Sequence, residues 1–279
     1  MVLVAIIIIW VFIAPGCMTF RKADSVMKAQ FEKRGITLTT VTEKVAGRKI
    51  HYAKTGSDTF PTLLFVHGTP GSWDAFANYM ANDELLQKYR MISIDRPGFG
   101  YSNFGAAENL ERQSQLMSPV LEKMVNGKPI YLVGHSLGAP MIIKLLADNP
   151  PGMFSGLVLI SGSVDPAEEK PEKWRPWLFK TPLNFFVPGA FRPSNEELWY
   201  LKKDLVKLED AYSKVGCPVY IIHGGKDTWV PPGNVEYAKK HLVNSPEIHE
   251  LIIPDGNHFI PWTKFKEIKD VLLKLGSPN

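Results

Sequence analysis

Six short apolar runs, with helix-compatible stretches between them, constrain the fold of this chain more than any other feature. Short aliphatic runs that end near Gly, Pro or Asp are typical of parallel strands buried on both faces. The series therefore favours a sheet covered by helices on both sides. The runs are Thr62–Val66, Met91–Ile94, Ile130–Val133, Leu157–Ile160, Val219–Ile222 and Glu250–Ile253.

Two β-rich stretches, Thr37–Val45 and Lys49–Ala53, precede these runs, and Ala46-Gly47 between them predicts a hairpin. With the six runs they give an α/β fold whose doubly wound, mostly parallel sheet has eight strands. The active site of such a sheet lies at the carboxyl ends of its strands. Helices are predicted at Ala23–Arg34, Trp73–Ala81, Glu108–Val125, Leu137–Asp148, Pro232–Leu242 and Phe265–Leu275.

The 279 residues suffice for one large α/β domain. Its core is expected in two parts, residues 36–162 and 217–279, separated by a short cap insertion at 163–216 that is rich in proline and aromatic residues. A net charge of +4 is too small to indicate nucleic-acid binding. Two cysteines exclude a disulfide scaffold, and no metal-ligand spacing or phosphate-binding loop stands out.

The N-terminus begins with an unbroken apolar run, Val2–Ile13, followed by Ala14-Pro15-Gly16-Cys17. We predict a signal peptide or membrane anchor at residues 1–16 and a basic linker with a short helix at 17–35. The Ala-Pro-Gly-Cys stretch resembles a bacterial lipobox, which implies a lipoprotein lipidated at Cys17 and facing the cell envelope. The alternative is an uncleaved anchor that leaves the catalytic body in the cytoplasm, because the basic residues follow the run.

The pentapeptide Gly134-His135-Ser136-Leu137-Gly138 matches the pattern G-x-S-x-G between a predicted strand and a predicted helix. A tight strand-to-helix turn requires small residues on both sides of the serine, because a Cβ atom there would clash with neighbouring backbone. This context favours Ser136 as a nucleophile over a serine that only caps the helix.

A nucleophilic serine needs a base and an acid that orients the base. His258 is the only histidine after the last strand run, and it lies on a loop rich in Gly and Asn. Asp227 follows the preceding strand run and is the expected acid. Asp165 is the rival from an earlier strand, and Asp255 lies too near His258 in sequence to orient it easily.

The oxyanion formed on the substrate needs positioned hydrogen-bond donors. The backbone N–H of Leu137, directly after the nucleophile, is one candidate. The backbone N–H of Thr69, in the loop His67-Gly68-Thr69-Pro70-Gly71 after the third strand, is the other.

Aromatic residues are concentrated in the cap insertion, where they either line an apolar substrate pocket or only attach the cap to the core. The pocket candidates are Trp174, Trp177, Phe185, Phe186 and Trp199. Cys217 precedes a strand and is expected in the core.

Five segments, in this order, resemble the successive motifs of the α/β-hydrolase fold family in its serine esterase and lipase branch. The resemblance covers about residues 36 to 275, and it implies a Ser-His-Asp triad, no cofactor and a variable cap. It also implies that the loop from Asp95 is structural. Ser136 stands where epoxide hydrolases and haloalkane dehalogenases carry an aspartate, which argues against both. The segments are His67–Gly71, Asp95–Ser102, Gly134–Gly138, Gly225–Asp227 and Gly256–His258.

The sequence thus predicts a membrane-associated serine hydrolase that cleaves a small or apolar carboxylic ester through an acyl-enzyme. The same triad also serves amidases and peptidases, carbon–carbon hydrolases and cofactor-free perhydrolases. A ligand-binding module without turnover is the alternative from another class, because fold alone does not determine function. The oligomeric state is left open.

Overall fold

The computed structural model describes residues 2–276, and eight strands within that range form one sheet. Their order is β1-β2-β4-β3-β5-β6-β7-β8; β2 is antiparallel to β1 and to β4, and the remaining pairs are parallel. The predicted doubly wound, mostly parallel sheet is therefore confirmed. The strands are β1 (Thr39–Val45), β2 (Arg48–Thr55), β3 (Thr62–Val66), β4 (Arg90–Ile94), β5 (Ile130–His135), β6 (Gly156–Ile160), β7 (Val219–Gly224) and β8 (Ile248–Ile253).

Helices cover both faces of the sheet, and short 3₁₀ segments lie at Ala14–Gly16, Trp73–Phe76 and Pro182–Phe186. The helices are α1 (Val2–Ile13), α2 (Asp24–Glu32), α3 (Ala77–Met80), α4 (Asp83–Leu86), α5 (Leu110–Glu122), α6 (Gly138–Asp148), α7 (Arg175–Phe179), α8 (Phe191–Tyr212), α9 (Gly233–His241), α10 (Ile260–Thr263) and α11 (Phe265–Lys274).

Two hydrophobic cores, one on each face of the sheet, explain why the strand runs are apolar throughout. In β5, Ile130 and Leu132 belong to the core under α5, α6 and α8. Tyr131 and Val133, which alternate with them, belong to the core under α2, α3 and α11. Successive side chains of a strand point to opposite faces of the sheet. When both faces are covered by helices, every position of the strand is buried and therefore apolar.

The insertion at 163–216 contains an element that the sequence analysis did not identify, the 22-residue helix α8. Its C-terminal half, including Leu205, Leu208 and Tyr212, packs into the core with α6 and α9. Two parallel neighbours such as β6 and β7 need a crossover connection, and α8 supplies it. The cap is therefore formed by α7, the 3₁₀ segment Pro182–Phe186 and the first half of α8.

The N-terminal residues form the exposed apolar helix α1 and then a segment, residues 14–22, that crosses from the cap to the core. Ala14 is fully buried, and its carbonyl accepts a hydrogen bond from the cap residue Gly189 at 2.9 Å. The Phe20 carbonyl accepts one from the Ser72 hydroxyl at 2.6 Å. We call residues 14–22 the strap. No helix among residues 2–276 has both the length and the apolar character required to cross a bilayer.

Candidate active site

The predicted functional residues converge at the carboxyl ends of four parallel strands. Ser136 follows β5, the loop His67–Gly71 follows β3, Asp227 follows β7, and His258 follows β8. Because parallel strands end at the same edge of a sheet, residues far apart in sequence meet there. Ser136, Thr69 and His258 all line one cavity at this edge.

Ser136 lies on a sharp turn between β5 and α6, with a φ of +55°. Only a few per cent of non-glycine residues adopt positive φ, and this strain is characteristic of the turn that exposes a nucleophilic serine. Backbone bonds hold the turn: the Ser136 N–H donates to the Ile160 carbonyl at 2.9 Å, and the Ser136 carbonyl accepts from Ala139 at 3.0 Å.

The glycines of this turn are required by close backbone contacts. A Cβ atom on Gly134 would overlap the Gly138 carbonyl, and one on Gly138 would overlap the Val66 carbonyl of β3. Neither neighbour is a flexible side chain, so an added methyl group can be accommodated only by moving a strand.

We expect Gly138→Ala to destabilise the protein by about 3 kcal/mol or more, because overpacking against fixed backbone costs this much. Urea unfolding followed by circular dichroism measures the change. Gly216→Ala is the matched control, since a Cβ atom at Gly216 meets nothing within 4 Å. An equal loss of stability in both variants would contradict the argument.

A hydrogen bond of 2.8 Å joins His258 Nδ1 to Asp227 Oδ2, and both residues are buried. The other carboxylate oxygen of Asp227 accepts the backbone N–H groups of Trp229 and Val230, each at 2.9 Å. Burial by itself would raise the pKa of Asp227, but the hydrogen bonds from His258 and from these N–H groups bring it below its usual value. Asp227 is therefore an anion that fixes the orientation of the His258 ring.

The two rival acids have other partners. Asp165 Oδ1 accepts the backbone N–H of Ala167 in a local turn. Asp255 pairs with Lys264 at 2.6 Å on the surface. Among residues 2–276, Asp227 is the carboxylate bonded to His258.

Three further histidines surround the site, each neutral and in a supporting role. Burial lowers the pKa of His135 to about 3, and its Nε2 bonds the His258 carbonyl at 3.0 Å. Burial also lowers the pKa of His223, whose Nε2 donates to the Val230 carbonyl at 2.9 Å. Burial, reinforced by the Arg96 charge, lowers the pKa of His67 well below its usual value. The three rings hold the loops that carry His258, Asp227 and Thr69.

The N–H groups of Thr69 and Leu137 are free to act as oxyanion donors, since neither donates to another residue within the described range. Gly68 allows the loop to approach the nucleophile, because a Cβ atom there would lie 2.8 Å from the Ser136 Cβ. The Thr69 hydroxyl is also buried without a hydrogen-bond partner among the described residues.

The cavity has a volume of about 1020 Å³ and lies between the sheet edge and the cap. Of the aromatic residues predicted to line a pocket, Trp174 lines it; Trp177, Phe185, Phe186 and Trp199 lie outside the lining. The first three of these four are exposed on the outside of the cap. The sequence analysis did not identify Phe20 of the strap, Trp229, Phe259 or Trp262 as lining residues; Trp229 stacks on His258 with ring centroids 5.5 Å apart.

Arg96 links the cap to the loop that carries Thr69. It is fully buried, and its guanidinium donates to the carbonyls of His67 at 2.9 Å and Gly68 at 3.0 Å. The same group forms a two-point ion pair with Glu197 of α8, at 2.8 and 2.9 Å. The loop Asp95–Ser102, which contains Arg96, was predicted to be structural. Arg96 holds the loop His67–Gly71 in position relative to the cap.

We expect Glu197→Gln to lower the free energy of unfolding by about 3 kcal/mol, because it leaves the Arg96 charge buried without a counter-ion. Activity should fall as well, since Arg96 positions the carbonyls of His67 and Gly68. Chemical unfolding and ester hydrolysis measure the two effects. The control is Glu196→Gln, because the neighbouring Glu196 makes no ion pair with a described residue; comparable losses in both variants would refute the role assigned to the pair.

Comparison with known proteins supports the fold independently. The family model for the α/β hydrolase fold matches residues 61–196. The chain is 24% identical over 260 residues to the pimeloyl-[acyl-carrier protein] methyl ester esterase of Nitrosomonas europaea, an alignment covering 78% of this chain and 95% of that protein.

Two solved structures show how far the likeness extends. An esterase of Exiguobacterium antarcticum superposes with a TM-score of 0.64 at 19% identity, covering 84% of this chain and 97% of its own. A bacterial membrane phospholipase A superposes with a TM-score of 0.61 at 16% identity and covers 99% and 97%. The family match over residues 61–196, the sheet order and the five motifs in sequence show that this chain has the α/β-hydrolase fold and is a hydrolase.

Proposed function

We propose that the protein is a serine hydrolase of carboxylic esters, with Ser136 as nucleophile, His258 as base and Asp227 as the orienting acid. The observation that carries this proposal is the buried 2.8 Å hydrogen bond between Asp227 and His258, because His258 lines the same cavity as Ser136. The positive φ of Ser136 supports it, because a serine that only caps a helix needs no strained backbone.

In the proposed reaction, Ser136 Oγ attacks the ester carbonyl while His258 Nε2 accepts its proton. The negative charge on the carbonyl oxygen is stabilised by the N–H groups of Leu137 and Thr69. The carbon–oxygen bond to the leaving group then breaks, and His258 returns the proton to the departing alkoxide. Water, deprotonated by His258, hydrolyses the acyl-enzyme and releases the carboxylic acid.

The substrate class is inferred from the cavity and from the relatives. A volume of about 1020 Å³ lies at the upper end of small-molecule sites and leaves room for an acyl chain. Phe20, Leu178 and Phe191 give part of its wall an apolar character. A relative that aligns over most of this chain is named as a methyl ester esterase, which favours an ester over an amide.

The test is hydrolysis of p-nitrophenyl esters of increasing acyl length, combined with a fluorophosphonate probe that reacts with activated serines. We expect turnover and stoichiometric labelling of Ser136, located by peptide mass spectrometry. Labelling of Ser136 without ester turnover would redirect the assignment to amide, carbon–carbon or peracid chemistry. A folded protein with neither activity nor labelling would be a ligand-binding module.

We further propose that the N-terminus holds the protein at a membrane. Two modes are available, lipidation at Cys17 after cleavage and retention of α1. The contacts of the strap support retention, because Ala14 is buried against the cap and cleavage before Cys17 would remove its bond to Gly189. Intact-mass analysis of the membrane fraction tests this. Fatty-acid labelling that disappears in Cys17→Ser would establish lipidation instead.

A further inference from the structure

We propose that α1 and the outer side of the cap form one surface that inserts into a lipid bilayer, and that the substrate is an acyl ester entering the cavity from that bilayer. We call this surface the docking face; it consists of α1 together with Trp177, Leu183, Phe185 and Phe186. The inference rests on the proposed esterase function for its substrate and on the geometry of the cap for its partner.

The first observation is the chemistry of α1. It carries no charged residue over its 12 positions. Five consecutive residues, Ile6 to Trp10, are each more than a third exposed. Because one turn of an α-helix contains about 3.6 residues, these five side chains point in all directions around the helix axis. Apolar surface therefore lies on every side of the helix. This is typical of a helix surrounded by lipid hydrocarbon, whereas a helix packed on the surface of a protein is apolar on one side. At 1.5 Å per residue α1 is about 18 Å long, enough to enter one leaflet of a core about 30 Å thick.

The second observation is that α1 and the cap form a continuous surface. The indole N–H of Trp10 donates to the Phe186 carbonyl at 3.0 Å. At the end of α1, the Ala14 carbonyl accepts from Gly189 of the cap. These bonds place the segment Pro182–Phe186, whose Phe185 is 57% exposed, beside α1; Trp177, on the preceding helix α7 of the cap, is 69% exposed. A bilayer that receives the helix therefore also contacts the cap.

The third observation is charge, which selects a lipid surface over a second protein. Residues 170–192 contain five basic side chains and one acidic side chain, interleaved with the exposed aromatics. Lys180 lies over the Phe179 ring at 5.8 Å and Arg175 over Trp174 at 4.8 Å. Aromatic rings combined with Lys and Arg are typical of segments that lie in the headgroup region of anionic membranes. Interfaces between proteins are depleted in lysine.

The fourth observation connects the docking face to the catalytic cavity. Trp174 lines the cavity and is half exposed, and it lies one helical turn before Trp177 on the outside. Leu178 and Phe191 line the same cavity. Phe20 of the strap lines the same cavity and packs edge-on against Phe191, with ring centroids 5.4 Å apart. An acyl chain leaving the bilayer beside Trp174 would therefore meet apolar side chains in the cavity that also holds Ser136.

The experiment compares Leu183→Asp in the full-length chain with Val243→Asp. Leu183 is 47% exposed on the docking face, whereas Val243 is 70% exposed after α9, on another element. Neither residue lines the cavity. Each protein is given soluble p-nitrophenyl butyrate and, separately, p-nitrophenyl palmitate in vesicles of phosphatidylcholine and phosphatidylglycerol. We expect Leu183→Asp to lower palmitate hydrolysis about tenfold, since a carboxylate resists transfer into lipid. Butyrate hydrolysis should stay at the wild-type level, and Val243→Asp should change neither rate.

A binding measurement separates failure of this proposal from failure of the esterase assignment. Tryptophan fluorescence of the Ser136→Ala protein is quenched by brominated phosphatidylcholine if the docking face enters the bilayer, and no turnover is needed. Adding Leu183→Asp to this protein should reduce the quenching, and adding Val243→Asp should not. Absence of quenching, or equal effects of the two substitutions, would overturn the proposal while leaving the esterase assignment intact. If Leu183→Asp instead converts a detergent-solubilised dimer to a monomer without changing quenching, the face binds a second copy and the proposal is wrong.

Discussion

Replacing Ser136 with alanine is expected to lower kcat for ester hydrolysis by about 10⁶-fold, because Ser136 is the proposed nucleophile that forms the acyl-enzyme. The N–H groups of Leu137 and Thr69 remain in Ser136→Ala, so activity slightly above the rate in water should persist. Initial rates with a p-nitrophenyl ester, after careful exclusion of contaminating esterase, provide the measurement.

The fold should tolerate this substitution. The turn at residue 136 is held by the backbone N–H and carbonyl of Ser136, both of which alanine retains. The midpoint of urea unfolding should therefore stay close to that of the wild type. Cys217→Ala is the control for a thiol nucleophile: burial raises the pKa of Cys217 to about 11, so the thiol is protonated and unreactive at neutral pH. Substantial turnover in Ser136→Ala would refute the assignment of the nucleophile.

The second large effect is expected for Asp227→Asn, which should reduce kcat/KM at neutral pH by about 10⁴-fold. In the proposed mechanism, the carboxylate stabilises the His258 imidazolium that forms when Ser136 loses its proton. Asparagine keeps the size of the side chain and can still accept the N–H groups of Trp229 and Val230. It removes the charge, and its NH₂ group can hold the ring in the wrong tautomer. A pH profile of kcat/KM measures the loss.

Asp165→Asn is the matched comparison, because Asp165 also follows a strand of the sheet but its carboxylate accepts the backbone N–H of Ala167 in a local turn. We expect this variant to retain activity within a few-fold of the wild type. If Asp165→Asn loses activity and Asp227→Asn does not, the acid comes from the earlier strand and the 2.8 Å bond to His258 is structural.

The buried strands and the glycines of the turn at Ser136 could be predicted from the sequence, because each depends on the properties of a few neighbouring residues. A strand buried on both faces has to be apolar at every position, which makes β3, β5 and β6 visible as short runs. A tight turn with a nucleophile at its apex requires small neighbours, which makes Gly134 and Gly138 visible as a motif. In contrast, α8 escaped prediction, since its first half belongs to the cap and only its second half faces the core.

Contacts between residues far apart in the sequence could not be predicted in this way. Arg96 and Glu197 are separated by 101 positions, and no local pattern couples a guanidinium after one strand to a carboxylate on a cap helix. The strap is a similar case. An apolar run followed by small residues indicates a membrane segment, but whether Phe20 then contributes to the cavity depends on how the chain crosses the cap.

The sequence alone determined the fold class, the strand that presents Ser136, and the short set of acids and histidines able to accompany it. Those properties follow from burial, turn geometry and chain order, which act over a few residues at a time. The sequence favoured Asp227 as the acid, and the tertiary structure places its carboxylate, rather than that of Asp165 or Asp255, against His258. Only the tertiary structure shows that Trp177, Phe185 and Phe186 are exposed while Trp174 lines the cavity. The packing of whole helices and strands determines which side chains come within about 2.8 Å of each other and which side of the cap faces the cavity. That packing depends on contacts between residues far apart in the chain.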